Sequence, residues 1–332
     1  MTFTQNSTQY HIVMENTEYT SVYETIFLDL FQNHSVLKIT EVYEDTGFKR
    51  LFLNLLYKNK INSLLKGRFE PVLKPHFSLE GSLQRHKDAR NVVIFLNPCM
   101  QKVYSADNLQ RIKQSVPNTR FVLLFVDMLS QYQAEKAYEI SKSGVFDLIY
   151  TFDHADAEQS NLLFWYTPYS KSCEKPDTTS NSVYFCGNIK CRGAFLNRIA
   201  ATLKEKGIPY TFDVFSEKEE DEYLFPIQHT GFLPYQEMLQ KALLHNCILD
   251  VVQDGQAGLS LRIMEAIVYD RVLITNNPNI LNHPLYNPMY MHYILDPAEI
   301  RLEWISAKAQ YHYAGDMSPL HFIKNIHQRL FP

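Results

Sequence analysis

The feature that most limits the fold of this chain is an alternation of short, apolar, β-prone runs with segments of helical period. Such an alternation is typical of a parallel sheet covered by helices, because parallel strands must be joined by long crossovers. In the first half, predicted strands lie at 10–14, 36–43, 91–97, 120–127 and 146–152, and helical periods lie at 106–115 and 133–143. We therefore predict an α/β fold.

The polar segment SKSCEKPDTTSNS, at 170–182, interrupts this pattern and has the composition of a linker. Beyond it we predict strands at 182–188, 209–215, 247–252 and 272–277, and helical patterns at 192–207 and 231–246. A chain of 332 residues exceeds the usual size of a single core. We expect an N-terminal domain over 1–170, a second domain over 182–315, and a C-terminal helix over 316–332 that crosses back to the N-terminal domain.

The composition excludes several classes of protein. A net charge of -4 gives no reason to expect a nucleic-acid partner. The five cysteines are odd in number and include no C-x-x-C pair, so we expect neither a disulfide framework nor a zinc site. The sequence shows no pattern of a signal peptide or of a membrane span. We expect a cytoplasmic protein.

Motifs of several other enzyme classes do not occur in the sequence. It contains no G-x-G-x-x-G after a predicted strand, no G-x-x-x-x-G-K-[ST] and no G-x-S-x-G. These absences disfavour a dinucleotide-dependent oxidoreductase, a P-loop NTPase and an enzyme with a nucleophile elbow. The sequence also has no Asp-x-Asp pair that would hold a divalent metal on a nucleotide diphosphate, so we expect neither a metal nor a cofactor.

The segment DGQAGLSLRIMEA, at 254–266, follows a predicted strand, which is where ligands bind in open parallel sheets. Gly258 allows close backbone approach, and Ser260 is a good N-cap for a helix whose free N–H groups suit a diphosphate. Arg262 adds a permanent positive charge. Glu265, three residues on, can accept hydrogen bonds from ribose hydroxyls. An ordinary surface pair of opposite charges is the alternative.

A second loop, CGNIKCRG at 186–193, follows the first predicted strand of the second half. Gly187 and Asn188 lie at the end of that strand, and Lys190 and Arg192 precede the next helix. This arrangement suits a phosphate group. The alternative is a loop with two basic residues that simply face solvent.

The pattern G-L-S-x-R-x-x-E-A-x-x-x-x-x-x-L-I-T-N-N, at 258–277, resembles the nucleotide-sugar-binding signature of the two-domain GT-B glycosyltransferases, in particular those of bacterial lipopolysaccharide and capsular polysaccharide assembly. The resemblance is strongest over 183–277 and weaker over 146–170. It implies two Rossmann-like domains whose parallel sheets face each other across a cleft. It also implies a nucleotide-sugar bound by the C-terminal domain and a glycan or lipid-linked acceptor bound by the N-terminal domain.

The resemblance also implies roles for individual residues. Glu265 matches the glutamate that typically contacts the donor ribose, and the turn at 186–193 faces the donor in the family. The segment GFLPYQEML, at 231–239, resembles the loop that borders the donor base, with Tyr235 and Phe232 as stacking partners. Core packing is the alternative for either ring.

Two departures from the family pattern bear on the mechanism. Many retaining members carry an acidic residue eight positions before the glutamate, where this chain has Ala257. The usual Gly-x-Pro of the following turn is replaced by Asp270, Arg271 and Val272. These departures favour an inverting reaction over a retaining one.

An inverting transferase needs a base that removes the proton of the acceptor hydroxyl. By their position at strand ends, the candidates are Glu15, after the first predicted strand, and Asp127, at the end of 120–127. Asp153 and Asp156 also follow a strand, but we expect them to cap a short helix, because aspartate is a strong N-cap residue.

The stretch FKRLFLNLLYKNKINSLLKGRF, at 48–69, interleaves six basic residues with large apolar side chains and has no acidic residue. Such a stretch can lie on an anionic membrane surface, where a lipid-linked acceptor would be found. A core helix with a solvated basic face is the alternative.

These observations predict a hexosyltransferase-type enzyme that moves a sugar from a nucleotide-sugar donor to a bacterial surface glycan, such as lipopolysaccharide, capsule or exopolysaccharide. We expect it in the cytoplasm, peripheral to the inner face of the membrane. Two alternatives stay open: a nucleotide-sugar epimerase or hydrolase, and a non-catalytic protein that uses the same fold as a scaffold.

Overall fold

The chain forms two compact units in a computed structural model, the first comprising Met1–Trp165 with Phe322–Pro332 and the second Tyr166–His321. The structure describes residues 8–14, 20–33, 35–40, 78–101, 104–173, 180–216, 223–228, 233–253 and 255–332. The basic stretch 48–69, the base candidate Glu15 and the ring of Phe232 lie outside the described residues.

The first unit contains a six-stranded sheet in which every pair of neighbouring strands is parallel. Its order is β2-β1-β3-β4-β5-β6. The strands are β1 (Thr8–Val13), β2 (Val36–Ile39), β3 (Arg90–Leu96), β4 (Thr119–Phe125), β5 (Leu148–Thr151) and β6 (Leu163–Phe164). The strand order reverses direction between β1 and β3, so the carboxyl ends of these strands flank the place where open sheets bind ligands.

Helices precede and follow these strands along the chain, as the sequence pattern predicts. They are α1 (Thr20–Ile26), α2 (Leu28–Phe31), α3 (Ser78–Arg85), α4 (Ala106–Ser115), α5 (Tyr132–Ser141) and α6 (His154–Ser160). Strands β3 and β4 are buried along almost their whole length, which explains why their sequences are continuous apolar runs rather than alternating ones. The rings of Phe95 on β3 and Phe121 on β4 pack edge to face, with their centroids 5.3 Å apart.

The second unit contains another six-stranded parallel sheet, in the order β12-β11-β10-β7-β8-β9. Its strands are β7 (Ser180–Asn188), β8 (Tyr210–Phe215), β9 (Ile227–Gln228), β10 (His245–Asp250), β11 (Val272–Thr275) and β12 (Met291–Tyr293). Counted from β7, this is the 3-2-1-4-5-6 order of Rossmann sheets. The order reverses between β7 and β10, and the loops after these two strands therefore form the topological switch point.

The helices of the second unit are α7 (Gly193–Glu205), α8 (Tyr235–Leu243), α9 (Leu261–Val268) and α10 (Leu302–Ile305). The last helix is α11 (Pro319–Leu330), and its residues from Phe322 onward group with the first unit. There the hydroxyl of Tyr150 donates to Asn325 Oδ1 at 2.7 Å, and the hydroxyl of Tyr10 lies 2.8 Å from His327 Nδ1.

The sequence predictions of strands and helices are confirmed wherever the pattern is strong. The predicted helix at 106–115 coincides with α4, and α5, α7 and α8 lie within or beside their predicted ranges; α9 begins directly after its predicted N-cap, Ser260. Three short strands, β6, β9 and β12, were missed because two or three residues carry no readable period. The predicted strand at 36–43 is observed over Val36–Ile39, and residues 41–43 lie outside the described part.

The expectation that Asp153 caps a short helix is also confirmed. Asp153 caps α6, with Oδ1 accepting from the N–H groups of Ala155 at 2.9 Å and Asp156 at 3.2 Å. Gly207 follows α7 with a φ of 65°, a left-handed conformation that glycine adopts without strain. All five cysteines are free thiols in this structure. Among the helices of the described residues, none combines the length and apolar character needed to cross a bilayer.

Candidate functional site

The candidate site lies in the second unit, at the switch point between β7 and β10. The short 3-10 turn Lys190–Arg192 and helix α7 follow β7, and a loop and helix α9 follow β10. These are the two segments that the sequence singled out, and the parallel sheet brings them to the same edge. The pairing of β7 with β10 makes them neighbours although they are about 70 residues apart along the chain.

The N-terminus of helix α9 is fixed by a buried carboxylate. Ser260 is the N-cap: its Oγ accepts from the N–H of Arg262 at 3.2 Å and donates to Asp250 Oδ1 at 2.7 Å. The other oxygen of Asp250 accepts from the hydroxyl of Thr275 at 2.8 Å. Asp250 therefore connects the ends of β10 and β11 to the start of α9, and the helix presents its N-terminus at the switch point.

Asparagines after β11 hold the loop that leads into α9. The side-chain amide of Asn277 donates to the carbonyl of Gly258 at 3.1 Å, and that of Asn279 donates to the carbonyl of Ala257 at 2.8 Å. Asn276 accepts from the N–H of Val252 at 2.8 Å. The asparagines of the T-N-N segment in the sequence signature thus hold the backbone of the glycine-containing loop by hydrogen bonds.

Two arginines lie together beside this helix N-terminus. Arg192 donates to the carbonyls of Val251 at 2.9 Å and of Asn188, and Arg262 donates to the carbonyl of Cys186. Both guanidinium groups lie over the ring of Phe185, at 5.4 Å and 5.3 Å from its centroid. The two positive charges are therefore held by carbonyl dipoles and a ring face.

This arrangement leaves positive charge that the carbonyls do not neutralise. Arg192 is 7% exposed, and no described residue accepts a hydrogen bond from its Nε. Burial, and after it the charge of Arg262, lower the pKa of Arg192 to about 10, although the carboxylate of Asp250 partly opposes both effects. Because that pKa still lies well above neutral pH, Arg192 is charged, and the pair favours an anion.

Gly187 makes room for the two guanidinium groups. A Cβ atom at this position would lie 2.8 Å from Nη2 of Arg262 and 3.3 Å from Nη2 of Arg192. Real Cβ atoms do not approach other atoms as closely as the first distance, so any side chain here would displace Arg262. The predicted role of Gly187 thus has a steric basis in the packing of the arginine pair.

Glu265 is buried in the middle of helix α9, where it is 1% exposed. The hydroxyl of Tyr235 donates to its Oε1 at 2.7 Å, and the hydroxyl of Tyr169 lies 3.0 Å from that of Tyr235. Burial raises the pKa of the Glu265 carboxyl; the Arg262 charge and the Tyr235 hydrogen bond oppose the rise, and the Asp250 charge adds to it. The alternative of an ordinary solvated surface pair does not describe Arg262 and Glu265.

The remaining predicted residues of this site have different environments. Lys190 is exposed and has a φ of 41°, and its N–H donates to Asn188 Oδ1 at 3.2 Å. Asn188 therefore shapes the turn. The ring of Tyr235 is 5% exposed, the burial that core packing predicts, and its hydroxyl reaches Glu265. Gly258 is buried, and its carbonyl accepts the hydrogen bond from the side-chain amide of Asn277.

Sequence reasoning missed Asp250 and Tyr169. Asp250 is the only charged residue in the strand run CILDVV, and a lone carboxylate at the end of an otherwise apolar strand was the available signal. Tyr169 had no local signal, because its partner Tyr235 lies 66 positions further along the chain.

In the first unit, Asp127 follows β4 as predicted, and Oδ2 accepts from the amide of Asn97 at 3.0 Å. The amide oxygen of Asn97 accepts in turn from the N–H of Val126 at 2.7 Å. Asp127 is half-buried at the carboxyl edge of the sheet. The expectation that Asp156 caps the short helix is wrong: Asp153 is the N-cap, and Asp156 lies inside α6 and accepts from the N–H of Leu129 at 2.8 Å. Across the described ranges, no group of three or more His, Cys, Asp or Glu residues is arranged to hold a metal ion.

Comparisons with known proteins bear on the fold. No protein-family model matches the sequence, and no curated protein matches it significantly. The structure is similar to the catalytic domain of starch synthase IV from Arabidopsis thaliana bound to ADP and acarbose, with a TM-score of 0.54 and 6% identity over 99% of this chain and 100% of that one. A co-structure of S. aureus MnaA with UDP matches with a TM-score of 0.45 and 11% identity, covering 97% of each chain.

An alpha-glucosyltransferase in complex with UDP and a 13-mer DNA matches with a TM-score of 0.45 and 12% identity, over 82% of this chain and 81% of that one. At these identities the similarity concerns the fold alone. Together with the two six-stranded parallel sheets, the similarity to the starch synthase domain shows that this chain has the GT-B fold of two Rossmann-like domains.

Proposed function

We propose that this protein is a glycosyltransferase that takes a sugar from a nucleotide-sugar donor bound by its second unit. The observation that carries the proposal is the pair of the buried Arg192 and the half-buried Arg262 beside the Ser260-capped N-terminus of α9, at the switch point of a Rossmann-ordered sheet. The starch synthase domain of the same fold, which was solved with ADP, supports a nucleotide as the ligand.

The chemistry of the arginine pair suits the leaving group of such a transfer. When the bond between the sugar and the diphosphate breaks, negative charge accumulates on the diphosphate. Two fixed guanidinium groups and a helix N-terminus stabilise that charge without reorganisation. We therefore propose a metal-independent reaction, in which Arg192 and Arg262 supply the positive charge and no cofactor takes part.

We propose Asp127 as the general base that removes the proton of the acceptor hydroxyl in the first unit. The proposal rests on its place at the carboxyl edge of the sheet and on the hydrogen bond from Asn97, which orients one carboxylate oxygen. The absence of an acidic residue at Ala257 favours inversion at the sugar carbon, with direct attack by the acceptor hydroxyl. Glu15 stays a second candidate outside the described residues.

We propose a bacterial surface glycan, free or lipid-linked, as the acceptor, on the basis of the sequence signature at 258–277. Docking of 48–69 on an anionic membrane belongs to the same proposal. Flotation with vesicles of phosphatidylglycerol and phosphatidylcholine at low salt tests the docking. Protein that stays at the bottom of the gradient with both vesicle types contradicts it.

The test of the function is release of nucleoside diphosphate from a panel of UDP-, GDP-, ADP- and CDP-sugars, with and without glycan acceptors. The proposal predicts turnover of one donor that depends on an acceptor and is unchanged by EDTA. Acceptor-independent conversion of the donor would instead identify an epimerase or hydrolase. A protein that binds none of these nucleotides selectively would instead be a non-catalytic scaffold.

The base assignment has a separate test. We expect Asp127→Asn to lower kcat by about 100-fold or more while leaving nucleotide affinity unchanged, because general base catalysis contributes on this scale. Asp107→Asn, at an exposed position in the first turn of α4, is the matched control. Full activity of Asp127→Asn would exclude Asp127 as the base.

A further inference from the structure

The three groups Tyr169, Tyr235 and Glu265 form a continuous buried chain of hydrogen bonds in the second unit. They come from three separate segments: the stretch before the linker, the first turn of α8 and the middle of α9. Their exposed fractions are 1%, 5% and 1%, respectively. The successive oxygen–oxygen distances are 3.0 Å and 2.7 Å, which are ordinary hydrogen-bond lengths.

The chemistry of the groups sets the direction of these bonds. An ionised carboxylate only accepts, so the hydroxyl of Tyr235 must donate to Glu265. The oxygen of Tyr235 is then the acceptor for the hydroxyl of Tyr169. Both donations point toward the carboxylate, and each bond polarises the next.

The start of this chain is anchored within the second unit. The N–H of Tyr169 donates to the carbonyl of Met317 at 3.2 Å. Three residues further on, the N–H of Ser172 donates at 2.9 Å to the hydroxyl of Tyr269, which directly follows α9. The segment that carries Tyr169 is therefore attached to the same helix that carries Glu265.

The hydrogen-bond chain from Tyr169 through Tyr235 to Glu265, called the relay below, occupies one side of the carboxylate. Tyr235 donates to Oε1, whereas no described residue donates a hydrogen bond to Oε2. Holding one oxygen in place fixes the side-chain orientation and leaves the other oxygen as an acceptor of defined position. A ligand hydroxyl is the neutral donor that such an oxygen recognises with most discrimination, because a ligand without it leaves a buried carboxylate incompletely paired.

We propose that Tyr169 and Tyr235 are positioning residues that orient Glu265 to accept a hydrogen bond from one ribose hydroxyl, so that this site distinguishes ribonucleotides from deoxynucleotides. This inference rests on the proposed function, since it assumes that a nucleotide binds beside α9.

The charged and titratable groups around Glu265 give the relay a second readout. Arg262 and the Tyr235 hydroxyl favour the ionised carboxylate, whereas burial and the charge of Asp250 oppose it. Tyr169 and Cys186 are the other titratable groups that interact with it. Without the Tyr235 hydroxyl, the pKa of Glu265 rises further. If nucleotide binding requires the ionised carboxylate, then on acidification the variant loses its affinity at a higher pH than the wild-type protein does.

The experiment is calorimetry with UDP, GDP, ADP and CDP, followed by the 2′-deoxy and 3′-deoxy analogues of the tightest ligand. In the wild-type protein, we expect one deoxy analogue to bind about tenfold more weakly than the ribonucleotide. Tyr235→Phe should reduce this ratio to about threefold or less and raise the pH midpoint of binding. Tyr169→Phe should change both in the same direction by a smaller amount.

Tyr311→Phe is the matched control, because its buried hydroxyl donates to the carbonyls of Arg271 and Tyr290 and makes no contact with the relay. It should keep the wild-type ratio and pH midpoint. If Tyr235→Phe fails to fold, Tyr169→Phe decides. A wild-type ratio and midpoint in the folded variants overturn the inference while the proposed function stands. Failure of the wild-type protein to bind every diphosphate overturns both.

Discussion

At the scale of single residues, the candidate site is a place where ionisable groups are buried without complete neutralisation. Arg192 keeps a positive charge at 7% exposure, and Glu265 is held in a setting that raises its pKa. Burying charge in this way costs folding free energy. Such costs concentrate at sites where the buried charge binds or transforms a ligand.

Glu265→Gln separates the cost of this burial from its use. The native pKa of Glu265 is above the ordinary value of 4.5, so the native state binds the proton more tightly than the unfolded chain does. The wild-type protein therefore loses stability as pH rises from 4.5 through the native pKa, and the variant lacks this loss. Urea unfolding should show the variant gaining stability relative to wild type as the pH rises above 4.5, together with weaker nucleotide binding. Parallel pH dependences in the two proteins would contradict this prediction.

Gly187→Ala tests the steric basis of the arginine pair. Its Cβ would lie 2.8 Å from Nη2 of Arg262, so the guanidinium must move. We expect a folded protein whose affinity for nucleoside diphosphates falls about tenfold, roughly the effect of losing one charged hydrogen bond. Calorimetry and thermal unfolding measure the two properties. An affinity equal to that of the wild type would show that the pair tolerates displacement.

At the scale of elements, helix α9 gathers most of the candidate site. Its N-cap Ser260 is bonded to Asp250, its first turn carries Arg262, its middle carries Glu265, and Tyr269 directly after it accepts from Ser172. The helix has only eight residues, so these contacts, rather than its own length, determine where it lies.

Ser260→Ala should lower the free energy of unfolding by about 1–2 kcal/mol, because it removes an N-cap and one donor to a buried carboxylate. It should also weaken nucleotide binding, since the helix N-terminus loses its fixed position. Ser105→Ala, which removes the N-cap of α4 in the first unit, is the matched control. We expect the control to lose similar stability and to bind nucleotide like the wild type. Equal affinities in both variants would argue against a role of the α9 N-terminus in binding.

The turn after α9 departs from the glycosyltransferase pattern that the sequence resembles. Where that pattern has a glycine, Asp270 adopts a φ of 50°. Aspartate tolerates this left-handed conformation better than most residues. Its Oδ1 accepts from the N–H of Tyr311 at 3.0 Å. The missing Gly-x-Pro is thus compensated by a hydrogen bond that joins positions 41 residues apart, which the sequence pattern alone does not reveal.

At the scale of the whole molecule, the sequence predicts those structural features that depend on residues close to one another along the chain. The strands with long apolar runs, the Ser260 and Asp153 caps and the turn at Gly207 follow from local periodicity and backbone preference. The relay from Tyr169 to Glu265 and the role of Asp250 depend on contacts across the sheet. No local pattern encodes which side chains meet there.

The order of the strands in the second sheet brings distant segments of the chain together at the candidate site. Because β7 and β10 are adjacent although two strands intervene along the chain, the loops after them meet, and both basic segments of the sequence reach one place. The first unit repeats the principle, with Asn97 and Asp127 at the ends of β3 and β4.

In the proposed function, Arg192 and Arg262 bind the diphosphate of a nucleotide. The most direct test is the dissociation constant of the preferred nucleoside diphosphate for Arg192→Gln and Arg262→Gln, compared with Arg271→Gln. Arg271 is the control, because it is a buried arginine like Arg192 and donates to the carbonyl of Leu243 at 2.7 Å, away from the switch point. We predict at least about a tenfold loss of affinity for the first two variants and wild-type affinity for the third. Wild-type affinity in Arg192→Gln and Arg262→Gln would contradict the account.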